Sequence, residues 1–121
     1  MNNRVLIVDD SLYMQSIIKD TLTDAGYEVI GLAANGESAV DQALSLKPDI
    51  ITLDNILPDM LGLDVIKVLK EEQLASKILM ISAVGQQSVI NTGLSLGADG
   101  YLVKPFTGEQ LLEKIEAIKS K

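Results

Sequence analysis

Four side chains that could hold a metal ion and a phosphoryl group stand at the ends of apolar runs of the chain. Asp9 and Asp10 follow the first run, and Asp54 ends the third. Lys104 ends the last. If these runs are parallel strands, their carboxyl ends meet at the edge where open α/β sheets bind ligands. Three acids and one lysine at that edge predict a site for a hard cation and a phosphoryl group.

The three carboxylates also predict the kind of cation. Carboxylates a few ångströms apart repel one another, and burial raises their pKa values, so a divalent ion would resolve the conflict. Oxygen ligands and an incomplete protein shell suit Mg²⁺, which keeps waters and takes phosphate oxygens. A simpler interpretation of Asp9 and Asp10 is helix capping, which Asp10 or Ser11 could provide. One cap does not need two adjacent acids, and the sequence therefore favours the metal site.

Five short apolar runs alternate with five helical patterns. Strands are predicted over Arg4–Val8, Glu28–Leu32, Asp49–Leu53, Lys77–Ser82 and Gly100–Val103. Their nearly continuous apolar character is typical of parallel strands that are covered on both faces. Apolar residues at helical spacing predict helices over Leu12–Ala25, Glu37–Leu46, Leu63–Glu72, Gln86–Leu96 and Gly108–Ser120. Right-handed crossovers favour a doubly wound, flavodoxin-like (βα)5 sheet of order 2-1-3-4-5, in which strands 1 and 3 are neighbours.

Composition limits the classes of function. The 121 residues suffice for one domain, and no apolar run approaches the length that spans a bilayer. A net charge of −7 argues against nonspecific nucleic-acid binding. The chain has no cysteine, which suits a reducing cytoplasm, and no leader or linker is apparent. We therefore expect a single cytoplasmic domain over residues 1–121, without an output domain, membrane insertion or nucleic-acid partner.

The chain resembles the receiver domains of two-component response regulators, most closely the single-domain chemotaxis, CheY-like type. Four motifs carry the resemblance in order: Asp9-Asp10 after strand 1, Asp54 after strand 3, Ser82-Ala83 after strand 4, and Lys104-Pro105-Phe106 after strand 5. Gly62 and the stretch Gly97–Tyr101 also fit the family, so the match covers nearly the whole chain. Any one motif is weak, but four at the correct strand ends are highly specific.

The resemblance implies that Asp54 accepts a phosphoryl group from a histidine kinase, with one Mg²⁺ ion bound. It implies that Asp10, Asp54 and the backbone carbonyl of Ile56 are direct ligands, while Asp9 acts through a bound water. Lys104 would supply positive charge beside the phosphoryl group, and its bond to Pro105 would be cis. Catalysis of this kind is largely positioning and charge neutralisation. We expect a phosphoacceptor that catalyses only its own phosphorylation and dephosphorylation, not an enzyme with a separate substrate.

Ser82 and Tyr101 are the expected switch residues. By resemblance, Ser82 moves toward the phosphoryl group and Tyr101 rotates inward behind it, which biases the segment Ala83–Gly97. Simpler roles stay open. Ser82 could be a helix cap or a strand-end polar residue, and Tyr101 a half-buried aromatic whose hydroxyl lies in water.

Ile56 and Val84 occupy the two positions that flank the phosphorylation site in the resembled family. A polar side chain there could orient the water that hydrolyses the acyl phosphate, but an aliphatic side chain cannot accept its hydrogen bond. We therefore expect slow self-catalysed dephosphorylation and an external phosphatase.

The predicted fourth helix lacks charge from Gly85 through Leu96, although a helix on a doubly wound sheet should have a charged outer face. Its sheet-facing stripe would leave Ile90 and Leu94 partly exposed, one turn apart. Together with Tyr101 they predict a partner-docking surface. The alternative is that this helix is simply more buried.

Partners follow from the resemblance: a histidine kinase as phosphodonor, and a flagellar motor switch or a phosphotransfer protein as target. We expect a monomer that acts in chemotaxis, with an intermediate of a multistep phosphorelay or a phosphorylation-independent binding module as alternatives. A hydrolase of the haloacid dehalogenase type would need a second acid where Ile56 stands. A flavodoxin-like FMN carrier would place its phosphate against Asp9 and Asp10, which would repel it.

Overall fold

The computed structural model describes residues 3–83 and 87–121. Within these ranges the strands are β1 Arg4–Val8, β2 Glu28–Ala33, β3 Ile50–Asp54, β4 Lys77–Ala83 and β5 Gly100–Lys104. The helices are α1 Leu12–Asp24, α2 Gly36–Leu46, α3 Gly62–Glu71, α4 Gln87–Leu96 and α5 Gly108–Lys119. All neighbouring strands are parallel, in the order β2-β1-β3-β4-β5. The predicted doubly wound fold is confirmed, and none of the described helices is long and apolar enough to cross a membrane.

The sheet separates two apolar cores because alternate strand residues point to opposite faces. Leu6, Ile51 and Met80 pack on the face covered by α2 and α3. Ile7 and Leu79 pack on the face covered by α1 and α5. Coverage on both faces explains why the strands are apolar at consecutive positions.

The ends of α1 are fixed by local hydrogen bonds. The Ser11 hydroxyl accepts the Met14 N–H at 3.1 Å, so Ser11 caps the helix and Asp10 does not. At the other end Gly26 adopts φ 93°, which glycine tolerates at low cost. The N–H groups of Gly26 and Tyr27 then donate to the carbonyls of Thr23 and Leu22 in a Schellman arrangement. Asp10 is therefore free of a capping role.

Helix α4 lies deeper than the prediction placed it. Ile90 is only 2% exposed, and the expectation that it stays partly exposed is wrong. The reason is Gly93: a Cβ atom there would overlap the Met80 side chain, so the helix packs closely on β4 and draws Ile90 into the interior. Leu94 stays 38% exposed. Of the predicted apolar pair, only Leu94 is available on the surface.

Gly62 sets the distance between α3 and the end of β3. A Cβ atom at this position would lie 2.7 Å from the Asp54 carbonyl oxygen and 2.9 Å from the Asn55 Cα. The Gly62 N–H also donates to the Asn55 carbonyl at 2.5 Å. The start of α3 is thereby held directly against the strand end that carries Asp54.

We expect Gly62→Ala to lower the free energy of unfolding by about 1–3 kcal/mol, because backbone rather than a flexible side chain must move. Urea denaturation measures the change. Gly108→Ala is the matched control: it also lies at a helix start, but its new Cβ would meet Thr21 Cγ2 at an ordinary 3.4 Å. Equal stabilities of the two variants would contradict this account of the α3 position.

Candidate functional site

The three predicted acids meet at the carboxyl edge of the sheet. Val8 pairs with Leu53 across β1 and β3, so the residues that follow, Asp9 and Asp54, lie side by side. One carboxylate oxygen from each of Asp9, Asp10 and Asp54 lies within 4.8 Å of the others. Asp9 and Asp54 are buried, whereas Asp10 is exposed and opens the cluster to solvent. An all-oxygen, partly open cluster of this kind fits Mg²⁺.

Lys104 reaches this cluster from β5. Its Nζ lies 3.2 Å from Asp9 Oδ2 and 3.6 Å from Asp54 Oδ1. The Lys104–Pro105 peptide bond is cis, as the family resemblance implied. With all four groups ionised the site holds two negative charges in excess, which a divalent cation would balance.

The surroundings of Asp54 work against its charged form. Burial raises the pKa of Asp54 above its ordinary value, and the nearby Asp9 and Asp10 charges raise it further. Lys104 and a backbone hydrogen bond from Ile56 lower the pKa and so offset part of this effect. Since the metal-free site disfavours a carboxylate at Asp54, positive charge brought into the site would favour it.

Gln15 supports the site and was not predicted from the sequence. This α1 residue is buried, and its Nε2 donates to the Asp9 carbonyl at 2.7 Å. The Asp9 side chain is held as well, because its Oδ1 accepts the Ser11 N–H at 2.9 Å. The sequence signal was a polar residue three positions before Ile18, on the buried stripe of the helix. Gln15 thus connects α1 to the carboxyl end of β1.

Ser82 lies next to the site with its hydroxyl buried. It follows Ile81, the register partner of Asp54, and it is 1% exposed. Its Oγ has no hydrogen-bond partner among the described residues. Ser82 belongs to β4 and stands five residues before Gln87, the first described residue of α4. A buried hydroxyl without a hydrogen-bond partner lowers the stability of the folded protein by about 1–3 kcal/mol. A hydrogen bond to a phosphoryl oxygen would remove this cost.

Tyr101, Ile56 and Val84 are the remaining residues that the sequence predicts for the site. Tyr101 is partly buried against the core, and Lys114 Nζ lies 5.1 Å from the centre of its ring. Ile56 is 55% exposed in the loop after Asp54, so an aliphatic surface borders the site. Val84, the second position expected to tune hydrolysis, lies outside the described residues.

Comparison with known proteins agrees with this fold. Residues 5–116 match the response regulator receiver domain, and the chain belongs to that family. Among curated proteins it resembles chemotaxis protein CheY, with 42% identity to that of Thermotoga maritima over 98% of both chains. Identity to CheY of Bacillus subtilis is 40%, over 95% of this chain and 96% of the other. The chain is therefore a CheY-like receiver domain of a two-component response regulator.

Solved structures give the same picture. CheY in the CheX–CheY complex with BeF3 and Mg²⁺ from Borrelia burgdorferi superposes with a TM-score of 0.93 at 32% identity, covering 98% of this chain and 90% of that one. CheY4 of Vibrio cholerae superposes with a TM-score of 0.87 at 34% identity, covering 95% and 97%. Both are receiver folds of the type predicted from the sequence.

The raised pKa of Asp54 predicts a gain in stability for Asp54→Asn in metal-free buffer. A carboxyl whose pKa is higher in the folded than in the unfolded state costs stability as pH rises from the unfolded toward the folded value. Asn does not titrate, so the variant should melt above the wild type at neutral pH, and the difference should shrink below about pH 4. Thermal melts at several pH values measure it. A variant less stable than the wild type at pH 7 would contradict the electrostatic account.

Proposed function

We propose that this protein is a phosphorylation-controlled response regulator of the CheY type. Asp54 accepts a phosphoryl group from a histidine kinase while one Mg²⁺ ion is bound, and the phosphorylated form docks on a downstream protein. The observation that carries the proposal is the convergence of three carboxylates on Lys104 at one strand edge. The near end-to-end match to two CheY proteins supports it.

The acidic cluster supplies the ligands that such an ion needs. Asp10, Asp54 and the backbone carbonyl of Ile56 would hold Mg²⁺ directly, and Asp9 would bind one of its waters. When bound, the ion supplies positive charge to the phosphoryl oxygens and to the ionised Asp54 carboxylate. Lys104 adds positive charge from β5, on another side of the transferred group.

Asp54 is the nucleophile of the proposed transfer. Its carboxylate oxygen bonds to phosphorus as the bond from phosphorus to the donor's histidine nitrogen breaks. The imidazole keeps the electron pair of that bond and takes up a proton, and Asp54 becomes an acyl phosphate. Because the protein contributes positioning and charge rather than further covalent steps, Lys104 and the metal-binding acids carry the catalytic effect.

Ser82 and Tyr101 would pass the change to the surface. The buried Ser82 hydroxyl donates to a phosphoryl oxygen and so acquires the partner it lacks among the described residues. Tyr101 follows, and Leu94 and Tyr101 form part of the docking surface; Ile90 is buried and takes no part in it. The target is a flagellar motor switch or a phosphotransfer protein, and chemotaxis is the pathway. A partner of the kind that CheX represents for the Borrelia protein is proposed as well.

Beryllofluoride, which mimics the acyl phosphate, distinguishes this function from a phosphorylation-independent binding module. In two-dimensional amide NMR spectra we expect Mg²⁺-dependent shifts at Asp10, Asp54, Ser82 and Tyr101. In Ser82→Ala the shifts around Asp54 should persist and that of Tyr101 should shrink, because the hydroxyl connecting the two is gone. Spectra that do not respond to beryllofluoride would favour the binding module.

The aliphatic side chain of Ile56 predicts a long-lived acyl phosphate. Ile56→Asn should shorten the lifetime about tenfold, the effect of one added hydrogen bond to the attacking water. Decay of the phosphorylated protein after removal of a small-molecule donor measures it. Leu61→Asn is the control, since Leu61 is another exposed apolar residue of the same loop. A wild-type lifetime of seconds, or an equal effect of both variants, would contradict the prediction.

A further inference from the structure

The loop between β3 and α3, together with the first residue of α3, forms a short hairpin, residues 55–62, that follows Asp54. Ile56 and Leu61 form an antiparallel bridge, and the Leu57 N–H donates to the Met60 carbonyl at 3.2 Å. Ile56 stands two residues after Asp54, and the Gly62 N–H donates to the carbonyl of the intervening Asn55 at 2.5 Å. The position of this hairpin therefore decides where the Ile56 backbone groups stand relative to Asp54.

The tip of the 55–62 hairpin is tied to the first turn of α2. Asp59 Oδ1 accepts the Gly36 N–H at 2.7 Å, and Asp59 Oδ2 accepts the Glu37 N–H at 3.0 Å. Both donors belong to the amino end of a helix, where a negative charge is favoured. The two hydrogen bonds hold the pKa of Asp59 below its ordinary value. A carboxylate in the loop is thus bound at both oxygens by a helix more than twenty residues away.

A second contact supports the same tie. Met60 follows Asp59 and packs against the core beneath α2 and α3. Its side chain lies over Gly36, where a Cβ atom would overlap it. Gly36 therefore both donates to Asp59 and leaves the space that Met60 occupies, so the hairpin tip is held by a polar and an apolar contact.

The amino end of α2 has a cap of its own. The Asn35 side chain accepts the Ser38 N–H at 2.8 Å, which is the ordinary capping bond. Asp59 adds bonds from outside the helix to the two N–H groups before Ser38. Because Asn35 already caps α2, we expect loss of the tie to affect the position of the hairpin more than the stability of the helix.

We propose that Asp59 is a positioning residue for the phosphorylation site. Its tie to α2 fixes the 55–62 hairpin, and through it the Ile56 backbone groups that face Asp54 and the bound cation. The inference rests on the proposed function, because the cation and the phosphoryl group are those of that function. Asp59 itself contacts neither of them; it acts through the hairpin.

The test compares two variants that each remove hydrogen bonds from the same helix end. Asp59→Ala removes the tie, and Asn35→Ala removes the cap while the Asp59 side chain stays in place. We expect Asp59→Ala to weaken Mg²⁺ binding about tenfold, the lower end of the effect of outer-shell partners in metal sites. Phosphorylation by phosphoramidate at subsaturating Mg²⁺ should slow in proportion. Asn35→Ala should lower the melting temperature yet bind Mg²⁺ like the wild type. Calorimetric titration with MgCl2 measures the affinities.

A milder variant and a metal-free measurement make the outcome decisive. Asp59→Asn keeps one acceptor oxygen and should fall between the wild type and Asp59→Ala. Amide exchange at Leu57 and Gly62 should accelerate in Asp59→Ala but not in Asn35→Ala. Unchanged Mg²⁺ affinity in Asp59→Ala, or an equal loss in Asn35→Ala, would overturn the proposal. Wild-type protein that binds no Mg²⁺ would reject the proposed function instead, and the exchange rates alone would then decide whether Asp59 holds the hairpin.

Discussion

Excess negative charge at one edge of the sheet is the constraint on which the rest of the structure depends. Asp9 and Asp54 are buried beside Asp10, and Lys104 lies within ion-pair distance of two of the three. Burial and the neighbouring Asp9 and Asp10 charges raise the pKa of Asp54 in the metal-free protein. Keeping Asp54 ionised therefore costs stability that positive charge in the site would restore, as the proposed metal-dependent phosphoacceptor requires.

The fold holds this unfavourable cluster in place from several directions. Gln15 fixes the Asp9 carbonyl from α1, and the close approach at Gly62 fixes the end of β3. Asp59 ties the following loop to α2. Each contact joins the strand edge to a different helix. The site therefore depends on the packing of α1, α2 and α3. These contacts hold the acidic residues in place in the metal-free protein, and this would limit the reorganisation that the proposed phosphoryl transfer needs.

Features that depend on neighbouring residues were predicted from the sequence, whereas some features that depend on contacts between distant parts of the chain were not. Strand and helix bounds followed from local periodicity and came within one residue where the structure describes them. The convergence of Asp9, Asp10 and Asp54 followed from strand order alone. Ile90 was misjudged because its burial depends on the approach of Gly93 to Met80, a tertiary contact without a periodic signal. Asp59 was missed for the same reason, since its partners on α2 lie over twenty residues earlier in the chain.

The proposed function requires that Asp54 becomes the acyl phosphate in a Mg²⁺-dependent reaction. Phosphorylation with acetyl phosphate, followed by borohydride reduction, converts a phosphorylated aspartate to homoserine, and peptide mass mapping locates it. The account predicts homoserine at position 54 in the presence of Mg²⁺ and none when EDTA is added. Modification of a different residue, or labelling at Asp54 that does not depend on Mg²⁺, would contradict the account.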